Sequence, residues 1–193
     1  MKQAKIPLEC TEGSASARLE IQLLLEDYQN KINQYELVMK VIEDLCMQIP
    51  EVEKLLKIKG VGIVIVAGFV SEIGDIRRFH SPKQIQKLAG LALKETSSGK
   101  CKGQTTISKR GRSRLRAVLF QAVMPLVAKN AEFAEIHRYY TTRIKNPLKK
   151  KQSLIALSCK LIRVFYAILS KGISYDSTKL ISDIDRPKEM IAT

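Results

Sequence analysis

The sequence predicts an all-α protein: a long, coiled-coil-like helical arm, then a helical domain that contains a helix-hairpin-helix. Three observations predict it. Apolar residues recur at alternating spacings of four and three along the arm, and similar spacings return in the last third of the chain. A Gly60-Val61-Gly62 turn divides one dense apolar run into two short helical patterns. Prolines at 50, 82 and 147 fall at the borders of periodic segments, where helices stop or start.

Residues 1–15, with Pro7, Gly13 and Ser14, have little to bury and are expected to be a disordered start. Residues 16–50 form the arm. Its seam is Ile21, Leu25, Tyr28, Ile32, Tyr35, Met39, Ile42 and Cys46. Such a face is costly to leave in water, so the helix must pack on something. An antiparallel helical partner in a larger protein fits, but a second copy is the first expectation, giving a homo-oligomer through residues 16–48.

Ile49-Pro50 ends the arm, and a domain over residues 51–172 follows. Helices are expected near 51–58, 62–72, 82–89, 112–129, 131–144 and 150–171. Ser81 precedes Pro82 as an N-cap with proline at the first helical position. Residues 96–107 hold two glycines and several hydroxyls with no strong period, so they are a flexible loop or a site. Leu115, Val118, Leu119, Ala122, Val123 and Leu126 make one core face, with Pro125 expected to kink that helix or follow a local break. Phe133, Ile136 and Tyr140 make a second stripe, and Leu154, Leu157, Leu161, Val164, Phe165 and Ile168 a third. Residues 173–193 are expected to be a flexible tail.

The net charge is +14, and its distribution is uneven. Residues 1–53 hold five Lys/Arg against ten Asp/Glu, residues 54–175 hold twenty-five against five, and the last eighteen hold three against four. A basic block of +20 attracts polyanions, of which nucleic acid is the commonest. On charge alone, DNA and RNA both fit. No basic amphipathic helix with exposed bulky apolar residues stands out, and the apolar run 61–70 is too short to span a bilayer, so no membrane partner is expected. Cys10, Cys46, Cys101 and Cys159 are scattered without a CxxC pair, which argues against zinc and against a disulfide scaffold.

Over residues 55–74, two short helical patterns flank the Gly-x-Gly turn. Glycines let such a turn approach a phosphate closely and aim free backbone N–H groups at it, and Lys57 and Lys59 add charge beside Gly60, Val61 and Gly62. That describes a helix-hairpin-helix reading the DNA backbone. An ordinary buried αα-hairpin, whose glycines only permit the turn, fits the same residues.

Further motifs follow in order: I-K-G-V-G, then S-E-I-G-D-I-R-R-F, L-A-G-L-A-L, S-S-G and I-S-K-R-G-R-S-R-L-R. This order resembles the C-terminal transposase domain of the DEDD insertion-sequence transposases, which include the Piv and MooV invertases. The resemblance covers residues 55–172. It implies a recombinase acting in DNA transposition, with a serine nucleophile that forms a covalent link to DNA and a bridge RNA that pairs with target and donor. The serine before the glycine of the family's motif falls on Ser98; the doubled serine leaves Ser97 as the alternative. The flanking Lys100 and Lys102, and the basic series Ser108, Lys109, Arg110, Arg112, Arg114 and Arg116, would contact phosphates.

The family pairs this domain with an N-terminal RuvC-like domain whose four acidic residues hold divalent metal such as magnesium. No residue here inherits such a role, so no cofactor or metal is expected in this chain. The expectation is a truncated chain, unable to recombine DNA alone, in the bacterial cytoplasm with the nucleoid. A non-catalytic helix-hairpin-helix nucleic-acid-binding module is the alternative.

Overall fold

The computed structural model describes residues 9–94, 97, 98, 101, 102 and 106–182; for residues 9–12, 97, 98, 101 and 102 it describes the backbone. The chain divides into two compact units, residues 1–45 and 46–193. The first is built on one helix, α1 (Glu9–Met47). It begins ahead of the expected Ser16. Ala15 and Ala17 are strong helix formers. Along α1, Ile21, Leu25, Tyr28 and Tyr35 are exposed, as are Leu24 and Val38.

The second unit is helical, as the apolar spacing predicts. Helices α2 (Val52–Leu56) and α3 (Ile63–Ile73) flank the glycine turn, a 3-10 turn spans Ile76–Arg78, and α4 (Pro82–Leu88) follows. Next come four two-residue strands: β1 (Leu93–Lys94), β2 (Ser97–Ser98), β3 (Cys101–Lys102) and β4 (Thr106–Ile107). Helices α5 (Ser113–Lys129), α6 (Ala131–Thr142), α7 (Lys150–Lys171) and α8 (Ser177–Ser182) complete it.

Helices α5 and α7 pack on each other and carry the core, with α3 and α6 against them. Leu115, Leu119, Val123 and Leu126 of α5 are buried, as are Leu157, Leu161, Phe165 and Ile168 of α7. Each such side chain contributes roughly 1.5–3 kcal/mol when removed from water. Phe69 of α3 meets Phe165 edge-to-face, with ring centroids 5.0 Å apart. Helix α7 is long and apolar enough, by length and composition, to cross a membrane. Here its apolar face is the core of the helical unit.

Three local expectations are refined. Helix α5 continues through Pro125 as one element, without the local break that was one expectation there. The carbonyl deprived of its donor belongs to Gln121, which is exposed and can be solvated. Residues 173–182 are not a free tail: α8 packs on α6, Leu180 is buried, and its carbonyl accepts from Nζ of buried Lys160 at 2.8 Å. Residues 183–193 lie outside the described residues. The 96–107 stretch contains strands. Leu93 pairs with Ile107 and Lys94 with Thr106, and Ser97 pairs with Lys102 and Ser98 with Cys101, both antiparallel. Two-residue strands fall below any periodicity that a sequence can display.

Candidate nucleic-acid interface

The glycine turn has a fixed shape. Gly60 lies at φ +99°, a conformation that side-chain-bearing residues rarely adopt. A Cβ there would also come within 3.3 Å of the Leu126 Cα and of the Pro125 carbonyl oxygen on α5. Gly60 is therefore a packing requirement of the turn. Gly62 is the opposite case. It has an ordinary extended backbone as N-cap of α3, and a Cβ on it would meet nothing within 4 Å. Its missing side chain leaves open surface at the start of a helix.

That helix start offers donors. The first N–H groups of a helix lack intrahelical acceptors. The amides of Ile65 and Val66 are satisfied by the Gly62 carbonyl, at 3.0 and 3.2 Å. The amides of Ile63 and Val64 precede any such bond. Val61 contributes less than expected: its side chain is buried, and its amide donates to the Ile58 carbonyl at 2.9 Å. Lys59 is exposed. Lys57 pairs with Glu53 at 3.0 Å, both highly exposed, a pair of the kind worth little in water.

The next motifs meet through their backbones. The end of α4 and the stretch before α5 are joined by three amide bonds: Arg112 to the Leu88 carbonyl at 2.7 Å, Lys109 to Gly90 at 3.0 Å and Ser108 to Ala92 at 2.8 Å. Glycine is needed on both sides of this junction. A Cβ on Gly111 (φ +150°) would collide with the Leu88 carbonyl oxygen, and one on Gly90 (φ +69°) would meet Lys109 and Arg110 backbone at 3.0–3.1 Å. Arg116 Nη1 donates to the Ala89 carbonyl at 2.9 Å, adding a side-chain brace. The L-A-G-L and S-K-R-G-R stretches thus form one structural unit.

Ser97 and Ser98 pair with Lys102 and Cys101 in a second two-stranded sheet, separate from that of β1 and β4. Lys100 lies outside the described residues, and of Lys102, Ser97 and Ser98 only backbone is described.

The arginines that open α5 differ in what they face. Lys109, in a left-handed backbone conformation at φ +53°, and Arg110 are exposed. Arg112 and Arg114 both face Glu72 of α3, at 3.7 and 3.6 Å, and Arg112 also donates to the Glu72 carbonyl at 2.6 Å. Arg116 is occupied by the junction, with a second, longer reach to the Lys109 carbonyl at 3.5 Å. Ser108 Oγ lies 3.4 Å from the Gly90 carbonyl. Sequence reading missed Glu72 as a counter-charge, although it stands in the S-E-I-G-D motif. It is forty residues from Arg112 in sequence, and helix packing brings them together.

Among the described residues no group of three or more His, Cys, Asp or Glu side chains could hold a metal ion.

Comparison with known proteins converges on the same segment. Residues 52–140 match the transposase IS116/IS110/IS902 family. A putative transposase of Sinorhizobium fredii is 32% identical over 127 residues, covering 64% of this chain and 32% of that protein. The transposase for insertion sequence element IS1111A of Coxiella burnetii is 24% identical over 123 residues, covering 64% and 34%. The pilin gene-inverting protein of Moraxella bovis is 31% identical over 124 residues, covering 63% and 38%. These matches support a transposase relationship. The chain spans about a third of the length of the relatives it matches.

Proposed function

We propose that this chain is the DNA-engaging part of an insertion-sequence transposase, with a serine nucleophile at Ser98. The observation that carries the reading is the match of residues 52–140, which hold the glycine turn and the basic junction, to the transposase IS116/IS110/IS902 family, beside the likeness of the chain to a putative transposase and a gene-inverting protein. The open start of α3, with Gly62 leaving room and Lys59 beside it, supports its use as a helix-hairpin-helix that grips a phosphate. Lys109 and Arg110, both exposed, add positive charge before α5.

In this reading Ser98 Oγ attacks a backbone phosphorus. A new P–O bond to serine forms, the bridging bond to one deoxyribose oxygen breaks, and the serine proton passes through solvent to that released oxygen. Nearby cations stabilise the charge that develops on the non-bridging oxygens. Ser97 is the alternative nucleophile. The metal-holding acidic residues of the family have no counterpart among the described residues, so no step is assigned to metal here. The seam of α1, on which Ile21, Leu25, Tyr28 and Tyr35 are exposed, pairs with a second copy of the chain, and a bridge RNA is a further partner.

The test is to replace each serine by alanine and assay duplex binding alongside covalent attachment, the latter with an acidic RuvC-like domain of a related transposase supplied in trans. Ser98→Ala is expected to bind as the parent does and to form no denaturant-resistant, protease-sensitive adduct with the DNA. Adduct formation by Ser98→Ala but not Ser97→Ala would move the nucleophile to Ser97. Adduct formation by the double variant would overturn the serine reading.

A further inference from the structure

Outside the segment already discussed, the densest positive surface is the connection between α6 and α7. Between Glu135 and Asp176 the chain has no carboxylate at all and carries nine Lys or Arg. Five of these, Arg143, Lys145, Lys149, Lys150 and Lys151, fall within nine residues. Lys145, Lys149, Lys150 and Lys151 are exposed.

This turn is held in shape by its own bonds. The Leu148 amide donates to the Tyr140 carbonyl at 2.8 Å, and Arg143 Nε donates to the Asn146 carbonyl at 2.9 Å. The Lys149 amide donates to Gln152 Oε1 at 2.9 Å, fixing the entry into α7. Arg143 also lies over the Tyr140 ring, 5.7 Å from its centroid. The cations are presented on a built turn.

Their placement has no internal rationale. Lys149, Lys150 and Lys151 stand at the start of a 22-residue helix that has no acidic residue in its first turn. Cations there oppose the helix dipole and repel one another. An external anion reverses the sign of both effects. At the far end of α7, about 33 Å along its 22 residues, Lys54 of α2 donates to the Gly172 carbonyl.

We infer that residues 143–151 form a second contact for the phosphodiester backbone of a duplex, separate from the glycine turn and the serine segment. The inference rests on the nucleic-acid reading above and extends it to residues beyond the family-matched segment 52–140. It assigns the lysines to phosphates, with no sequence specificity of their own.

The experiment is a binding titration of the full chain on a labelled duplex DNA, and on a duplex RNA of the same sequence, at several salt concentrations. Parent, Lys149→Gln/Lys150→Gln/Lys151→Gln and the corresponding triple Lys→Arg variant are compared, with single Lys150→Gln as a milder change and circular dichroism confirming helix content. Each lost phosphate contact lowers the slope of log affinity against log salt by about 0.9. The triple Gln variant is therefore expected to lose about two to three from that slope, the single variant about one, and the Arg variant nothing. A loss on DNA, RNA or both supports the contact and identifies its source. A parent that binds, with an unchanged slope in the folded Gln variants, overturns the inference alone. A parent that binds neither duplex at low salt overturns the functional reading as well.

Discussion

The Arg112 amide donates to the Leu88 carbonyl at 2.7 Å, and this bond ties the end of α4 to the entry of α5 across Gly111. The junction admits no side chain at Gly111, where a Cβ would collide with that same carbonyl. Gly111→Ala is expected to cost about 2–4 kcal/mol through steric and backbone strain. A denaturant titration checks this, and parent-like stability would show that the junction yields.

The two glycines of the hairpin should separate by phenotype. Gly60→Ala forces a residue into φ +99° and against α5, so it should destabilise by about 1–3 kcal/mol. Gly62→Ala meets nothing within 4 Å and should leave thermal unfolding unchanged. It should nonetheless weaken duplex binding about tenfold, the equivalent of about 1.4 kcal/mol, by blocking close approach to the α3 start. Equal binding by Gly62→Ala and the parent would return the turn to an ordinary αα-hairpin.

Glu72 restrains the positive surface. Its side chain is 15% exposed and faces both Arg112 and Arg114. Glu72→Gln removes that counter-charge while keeping the carbonyl that accepts from Arg112. Duplex affinity is therefore expected to rise several-fold at low salt, with a steeper salt dependence. A fall in affinity, measured by the same titration, would mean that Glu72 orients the arginines for contact.

Asp176 controls the docking of α8. Its carboxylate accepts from the Thr178 hydroxyl at 2.6 Å and from the amides of Thr178 and Lys179. Hydrogen bonding from Thr178, then from the Lys179 amide, holds its pKa down at about 2. Because the folded value lies below the unfolded one, the stabilisation is present above about pH 4. It is lost as the pH falls towards 2. The protection of the Leu180 amide against hydrogen exchange, relative to its intrinsic rate, should fall over that interval, and Asp176→Asn should abolish that pH dependence of protection.

The helical architecture was legible because it is written in short-range periodicity. The expected segments 62–72, 112–129 and 150–171 differ from α3, α5 and α7 by at most one residue at either end. What was illegible depends on partners distant in sequence. Leu180 is apolar in a polar tail, and nothing local shows that Lys160 and α6 receive it. Arg116 belongs to a basic run, yet its guanidinium braces the Ala89 carbonyl. Val61 sits between two glycines but turns inward, because the turn's own amide bond to Ile58 orients it. The motif order located the candidate interface; the roles of individual cations within it required the packing of α3 on α5.

The central claim is that the basic helical domain engages DNA through its backbone. The most direct measurement is a titration of the purified chain against duplex and branched DNA at two salt concentrations. The account predicts tight binding at low salt that falls steeply as salt is added, in proportion to the phosphates neutralised. Absence of binding at low salt, by a chain whose circular dichroism shows it folded, would contradict it.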